Sequence, residues 1–404
     1  MKKRVLWISP YAPYDKVAHG GGKTHNYYVK YFHHNSNCEI TLISLCMNYE
    51  EENLDLDGYG ISNNIYVMDK TIYSKIHRLL LSGVAFRNPF DKYGGKCLPY
   101  ERAQIKKMIQ QYSKENEPNL IILQWTFSLM LIDDLKKRFP NSKIIAIEED
   151  VSFLNYDRKR LSTPNIWSKY FWSKRYKTLK KVELENLQKT DVVVTNNFKD
   201  SQLLIENGLE CSKIYTAAPY IADYSVVKRE RKDKNIIFFG DMSREENYNS
   251  AIWFIKHVMP LIKDTQIYFT IIGNKPNNAL FKYKGPRVKI TGYVEDVSSI
   301  FSTCMCMVAP LVGGAGIKIK VLEAMSAGIP VLTNEIGIEG IAAVAGKDFL
   351  YCTSPEEYAL AIDNIAQNPK LEEELSDCSR KFINDHFNLA NKLEGLIRLL
   401  ELKD

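Results

Sequence analysis

A chain of 404 residues is too long for one hydrophobic core, and two domains of about 200 residues each are expected. With 45% hydrophobic and 25% charged residues it has globular proportions, and a net charge of +6 is too modest for a nucleic-acid-binding face. No apolar run approaches the ~18 residues of a membrane span, and MKKRVLWISPYAP reads as a charge pair and a short strand rather than a signal peptide. A cytoplasmic protein is expected. The eight cysteines lie mostly in apolar runs, as buried reduced thiols do, and Cys304-x-Cys306 has no second ligand pair for zinc.

In chain order, Val5–Ser9 reads as a strand, and Gly20–Gly22 as a loop opening a helix that runs to Phe32. Further strands are expected at Glu39–Leu45, Leu120–Gln124, Lys143–Ile147 and Asp191–Thr195, the last following a long polar helix. Strand–helix alternation of this kind implies a doubly wound, mostly parallel sheet. The charged stretch Lys228–Lys234 then marks a linker, dividing an N-terminal domain, 1–225, from a second, 226–385. In the second domain Asn235–Phe239, Gln266–Ile272, Val288–Thr291 and Cys304–Ala309 read as strands, with a helix over Tyr248–Ile262. A final helical run from Leu371 to Leu402 is long for a terminal cap.

The most informative segment is Val308–Gly340, VAPLVGGAGIKIKVLEAMSAGIPVLTNEIGIEG. It reads as strand, glycine loop (Gly313, Gly314, Gly316), helix over Ile317–Ala327, and strand. A helix start exposes unpaired N–H groups and the positive end of its dipole, which suits a phosphate. Lys318 and Lys320 place cations in that first turn, where they are disfavoured until an anion arrives, and Glu323 shares the face of Lys320.

This segment resembles the nucleotide-sugar motif of the group 1 (family 4) glycosyltransferases, in the branch carrying Gly-Ile-x-x-Lys-Val-Leu-Glu-Ala-Met. FFGDMSREENYNSAIWFIKHVMPLI, IIGNKP and VKITGYVEDVSSIFS resemble the same branch; residues 1–225 resemble it only weakly. The resemblance implies the GT-B fold: two Rossmann-like doubly wound domains facing a central cleft, with a C-terminal helix, 386–404, crossing back to the first. It implies transfer of a sugar, with retention, from a nucleotide-diphosphate donor to a saccharide acceptor, read here as lipid-linked, in cell-envelope polysaccharide assembly. No cofactor and no metal are expected.

Residue by residue, the resemblance assigns Gly314, Gly316 and Ile317 to the donor diphosphate and Glu323 to the ribose hydroxyls. Lys320, and secondarily Lys318, would stabilise the departing diphosphate. Gly240, Asp241 and Arg244 follow the first strand of the second domain, with Arg244 the candidate basic residue and Asn249 nearby. Gly273, and then Gly292 through Tyr293 to Val294, would face the nucleotide base. In the first domain the amides of Gly21 and Gly22 could approach the donor, flanked by His19 and Lys23. Glu149-Asp150-Val151 aligns where many members carry histidine, then Asp or Asn, then valine, so Glu149 stands in the histidine's place. Ala315 stands where many members carry a glutamate that binds the sugar.

Two basic aromatic stretches, Lys70–Lys96 and Arg158–Lys181, have the composition of an interfacial surface for anionic lipid. Solvated helix faces with core aromatics would read the same way. A rival reading of the whole chain is a sugar- or nucleotide-binding protein on a degenerate GT-B scaffold.

Overall fold

The computed structural model describes the chain except Met1, Ala18, His19, 69–75, His77, Arg78, 84–86, 113–116, Gly314, Ala315 and Asp404. The expectations for His19, Gly314 and Ala315, and for much of Lys70–Lys96, thus lie outside the described residues. Two compact units divide the chain: Met1–Tyr220 with Leu389–Asp404, and Ile221–Asn388. The crossing from one to the other comes at Tyr220, ahead of the expected 225/226 boundary.

The first unit holds a seven-stranded parallel sheet in the order β3-β2-β1-β4-β5-β6-β7. Its strands are β1 (Lys3–Ile8), β2 (Cys38–Met47), β3 (Ser62–Met68), β4 (Leu120–Gln124), β5 (Lys143–Glu148), β6 (Val192–Thr195) and β7 (Ile214–Thr216). Val5 pairs in register with Ile40 on one side and Leu120 on the other, and Val5 to Ile8 are wholly buried. Strands covered on both faces read as continuous apolar runs, which is why the central strands were visible in sequence. Helices α1 (Gly20–Asn35), α2 (Pro99–Gln111), α3 (Trp125–Leu129), α4 (Ile132–Arg138), α5 (Ser152–Ser162), α6 (Ile166–Gln188) and α7 (Phe198–Glu206) accompany it.

The second unit repeats the plan with six parallel strands, in the order β10-β9-β8-β11-β12-β13. These are β8 (Asn235–Phe239), β9 (Tyr268–Ile272), β10 (Val288–Gly292), β11 (Cys306–Ala309), β12 (Val331–Thr333) and β13 (Leu350–Tyr351). Its helices are α8 (Glu245–Trp253), α9 (Asn278–Phe281), α10 (Ser298–Thr303), α11 (Ile319–Ser326), α12 (Pro355–Gln367) and α13 (Pro369–His386). In each unit the chain starts at the middle of the sheet, builds outward one way, then returns and builds the other way. Ligands of such sheets gather beyond the strand C-termini at the reversal, which lies between β1 and β4 and between β8 and β11.

Two expected helices are corrected. The helix expected over Tyr248–Ile262 is regular only to Trp253, then widens to a π turn over Phe254–Val258 and tightens to a 3-10 turn over Met259–Leu261. Pro260 brings no N–H to the ladder, so the last turns cannot stay α-helical. The run from Leu371 is not one helix: α13 stops at His386, and α14 (Leu389–Leu399) belongs to the first unit. There α14 buries Leu393, Leu396 and Ile397 completely, Tyr215 donates its hydroxyl to the Lys392 carbonyl at 2.6 Å, and Asn37 N donates to the Leu402 carbonyl at 2.6 Å.

Candidate active site

In the second unit, three neighbouring strands meet glycine at the carboxyl edge of the sheet: Gly240 directly follows β8, Gly273 directly follows β9, and β10 ends on Gly292. Gly240 and Gly273 have φ +152° and Gly292 has φ +73°. A Cβ on Gly273 would lie 1.7 Å from the Gly240 carbonyl oxygen, so the strand ends approach more closely than any side chain permits. Their amides are paired along the edge: Gly240 N donates to Ile272 O at 3.0 Å and Gly273 N to Gly292 O at 2.9 Å. The glycines shape a floor rather than offer free donors.

Lys320, in the first turn of α11, reaches that floor. A Cβ on Gly240 would lie 3.1 Å from its Nζ. The amine donates to Asn247 Oδ1 at 2.5 Å and lies 4.8 Å from the centre of the Phe238 ring. Asn247 in turn donates from Nδ2 to the Asp241 carbonyl at 2.8 Å, so one buried amide links lysine and strand end. Burial, with Arg244 and Lys318 nearby, lowers the Lys320 pKa to about 7, while Glu246 and Glu323 pull the other way. The amine therefore sits close to half-charged at neutral pH, and an anion placed beside it would draw it to the cationic form.

Lys318 occupies the N-cap of α11, not its first turn, and its amine donates to Gly316 O at 2.6 Å and meets Glu339 Oε2 at 3.4 Å. The two lysines thus divide: one reaches the strand edge, the other braces its own loop. Glu323 lies one turn beyond Lys320 and accepts from Ala222 N at 3.4 Å. Gly316 is exposed with φ +72°, and Ile317 is half-buried beside it. Asp241 closes a turn, accepting from Ser243 N at 3.0 Å and from its hydroxyl at 2.7 Å. Arg244, the N-cap of α8, is largely exposed and pairs with Glu246. Tyr293 projects from the end of β10 with 71% of its surface exposed, and Val294 is half-buried. Asn249 turns to Glu245, away from this group. Asn247 escaped the sequence reading, although it shares the buried side of α8 with Ser250 and Ala251, a spacing that marks an inward face.

In the first unit, the three carboxylates that the sequence crowds after β5 diverge. Successive side chains of a strand point to opposite faces. Glu148 turns inward and accepts from Thr126 Oγ1 at 2.7 Å, Glu149 points along the strand edge, and the exposed Asp150 accepts from Asn155 Nδ2 at 2.5 Å. Burial and the neighbouring Glu183 hold the Glu148 pKa well above its ordinary value. Glu183, itself fully buried, accepts from Ser152 N and Phe153 N at 2.9 and 3.0 Å and so caps α5 from the neighbouring α6.

Glu149 takes one amide on each oxygen: Gln124 Nε2 at 2.7 Å and Asn196 Nδ2 at 2.7 Å. Burial, reinforced by Asp150, pushes its pKa up to about 8 against the pull of those amides. Gly21 is the nearest part of the glycine loop, which is already the first turn of α1. A Cβ there would lie 3.5 Å from Trp125 Cζ2 and 3.8 Å from the Glu149 carboxyl carbon. Gly22 is buried and Lys23 exposed. Nothing in the sequence marked Trp125, Gln124 or Asn196 as part of a site, because contacts between three strand ends carry no local pattern.

Arg175, grouped in sequence with a basic surface, is fully buried. It donates to Gly94 O at 2.7 Å and Asn88 O at 3.2 Å, and a Cβ on Gly95 would collide with its guanidinium. It pins a loop onto α6 and faces no solvent. Among the described residues no helix is long and apolar enough to cross a membrane, and no three His, Cys, Asp or Glu side chains are placed to hold a metal ion.

Residues 233–368 match the family model described as Glycosyl transferases group 1. A protein of Klebsiella pneumoniae described as "Uncharacterized 44.6 kDa protein in cps region" is 23% identical over 219 residues, which span 50% of this chain and 56% of the relative. Among solved structures, Anabaena Alr3699/HepE in complex with UDP superposes with a TM-score of 0.67 at 11% identity, over 98% of this chain and 99% of that one. The same protein with UDP-glucose gives 0.66 at 11% identity, over 98% and 99%. The lipopolysaccharide outer core galactosyltransferase WaaB gives 0.63 at 13% identity, over 99% and 100%. At such identities the structural likeness speaks to fold alone. The chain has the GT-B fold, and residues 233–368 of its second unit are what match the group 1 glycosyl transferase model.

Proposed function

We propose that the protein transfers a sugar from a nucleotide-diphosphate donor to a saccharide acceptor, with retention at the anomeric carbon. The observation that carries this is the Lys320 amine at the glycine floor of the second sheet, lowered by burial to a pKa of about 7. A diphosphate arriving there supplies the missing counter-charge, and the pairing strengthens as negative charge builds on the leaving group. Glu323, one turn further along α11, is the ribose acceptor in this reading. The likeness to structures holding UDP and UDP-glucose, and to a relative from a cps region, supports a nucleotide-sugar donor and envelope polysaccharide assembly.

The acceptor is lipid-linked in this reading, and the protein docks peripherally on an anionic membrane. Leu161, Ile166, Trp167 and Phe90 are exposed, and the Lys174 amine lies 5.8 and 5.5 Å from the ring centres of Phe90 and Tyr170. Apolar and aromatic tips beside lysines suit a headgroup boundary.

The test is a panel of UDP and GDP sugars with saccharide and lipid-linked acceptors, read by product formation and by the anomeric configuration of the product. Transfer that falls in Lys320→Ala is expected. Nucleotide binding without turnover for any donor would leave a binding protein on the same fold, and no nucleotide binding at all would overturn both readings.

A further inference from the structure

Among the described residues at the first sheet's carboxyl edge, Trp125 alone has a backbone conformation its side chain does not favour. It follows β4 directly, at the reversal between β1 and β4, and has φ +64°. A bulky L-residue in the left-handed region is a genuine outlier, costing about 1–2 kcal/mol, and persists only where the surroundings fix it. The left-handed turn lays the indole against the first turn of α1, where Gly21 leaves room for it. Tyr11 meets the indole edge-on with centroids 5.3 Å apart, and His25 meets it edge-on at 5.1 Å. His25 is wholly buried, Trp125 half-buried and Tyr11 54% exposed, so the cluster runs from the core out to solvent. A hydrophobic core alone does not require an aromatic at this edge in this strained geometry.

Beside the rings stands the amide–carboxyl group of Gln124, Glu149 and Asn196 described above. A carboxyl has about four lone-pair positions, and the two amides occupy one on each oxygen, leaving capacity for hydroxyl partners. Rigid ring faces next to directional hydrogen-bonding groups match a pyranose, which presents an apolar C–H face and a rim of hydroxyls.

We propose that Trp125 and Tyr11 form a stacking shelf for a pyranose of the acceptor, whose hydroxyls bind the Glu149–Gln124–Asn196 group. This rests on the transferase reading and adds to it a saccharide subsite built entirely by the first unit.

The experiment is saturation-transfer NMR with methyl glycosides of glucose, galactose, mannose and N-acetylglucosamine, with uridine as a stacking control. Thermal shifts with UDP and GDP run in parallel. Wild type, Trp125→Phe, Trp125→Asn and Tyr11→Ala are compared; asparagine tolerates the left-handed backbone, so Trp125→Asn removes the ring without adding strain. At least one glycoside should receive saturation on the protons of one ring face. The signal should survive in Trp125→Phe, weaken in Tyr11→Ala and vanish in Trp125→Asn, with the nucleotide shift the same in all four. A glycoside signal unchanged in Trp125→Asn, no glycoside signal while nucleotide binds, or Trp125-dependent saturation of uridine alone overturns the shelf. Failure of every nucleotide shift instead overturns the transferase reading, and the glycoside signals then decide the shelf on their own.

Discussion

The two units share one sheet plan and differ at the same topological point. At the carboxyl edge of the second sheet lie three glycines and a lysine; at that of the first lie an indole in a left-handed turn and a carboxyl between two amides. One physical cause, removal from water, acts on both ionisable groups in opposite directions: Lys320 falls to about 7 and Glu149 rises to about 8. Near neutral pH one edge stands ready to take up an anion and the other to accept an uncharged polar molecule. A topology repeated within one chain thus fixes where a ligand binds, while the side chains decide which kind.

The largest expected effect tests the backbones of the two edges. Gly273→Ala drives a Cβ into the Gly240 carbonyl at φ +152° and should cost more than about 2 kcal/mol. Gly21→Ala, whose Cβ meets only ordinary contacts inside α1, should change stability by less than about 1 kcal/mol. Chemical denaturation of both variants decides it; equal losses would mean that the glycine floor is not the tighter of the two.

Next is the lysine. Lys320→Ala should lower turnover at least tenfold, on the order of 1.4 kcal/mol or more in the barrier, with a smaller effect on donor affinity. Calorimetry of a nucleotide-diphosphate sugar at about pH 8 in two buffers of different ionisation enthalpy should show uptake of a fraction of a proton. The uptake should fade at about pH 5.5, where the amine is already charged, and be absent in the variant. Buffer-independent heats at both values would remove Lys320 from the diphosphate.

The linkage of the two groups to stability has opposite signs. Below its unfolded value of 4.5 Glu149 is protonated in both states and costs nothing; the cost grows as pH rises towards about 8 and is full above it. Lys320 is charged in both states below about 7, where its burial cost is full, and the cost is relieved as pH rises towards 10.5. Glu149→Gln should therefore flatten the loss of stability between about pH 5 and 8, a slope of at most about 1.4 kcal/mol per pH unit, and Lys320→Met the gain above it. Unfolding curves that keep the wild-type slopes would show that neither group titrates as described.

Smallest is the surface of α6. Lys174→Glu with Lys177→Glu should weaken binding to anionic vesicles by about 1 kcal/mol per residue or more, with the binding falling as salt rises and nucleotide affinity unchanged. Arg175 is excluded from that set because its removal would unpin the Asn88–Gly95 loop. Wild type that ignores anionic vesicles at low salt would remove the membrane surface.

Much of this was legible in the chain. The apolar runs of parallel strands, the turn residues between them and the glycine–lysine–LEAM frame announced both sheets and the second edge. Lys320 was visible because helix position and a dense motif pointed to it; Asn247, its partner, was visible only as part of a helix face. The first edge was nearly silent. Gln124, Trp125, Glu149 and Asn196 come from β4, β5 and the end of β6, and what unites them is lateral strand pairing, which leaves no periodic mark. Consecutive residues at a strand end also part company in space, as Glu148, Glu149 and Asp150 do.

The first unit is discontinuous. Its sheet is complete by Tyr220, yet α14, which buries Leu393, Leu396 and Ile397 against it, is synthesised only after all of Ile221–Asn388. On the ribosome the first unit should therefore wait, exposing the surface that α14 will cover, while the second is made and can fold. Ribosome-stalled chains probed with protease should show the second unit protected once Asn388 has emerged, and full protection of the first only after Leu402. A first unit already fully resistant in chains stalled soon after Tyr220 would show that α14 decorates it rather than completes it.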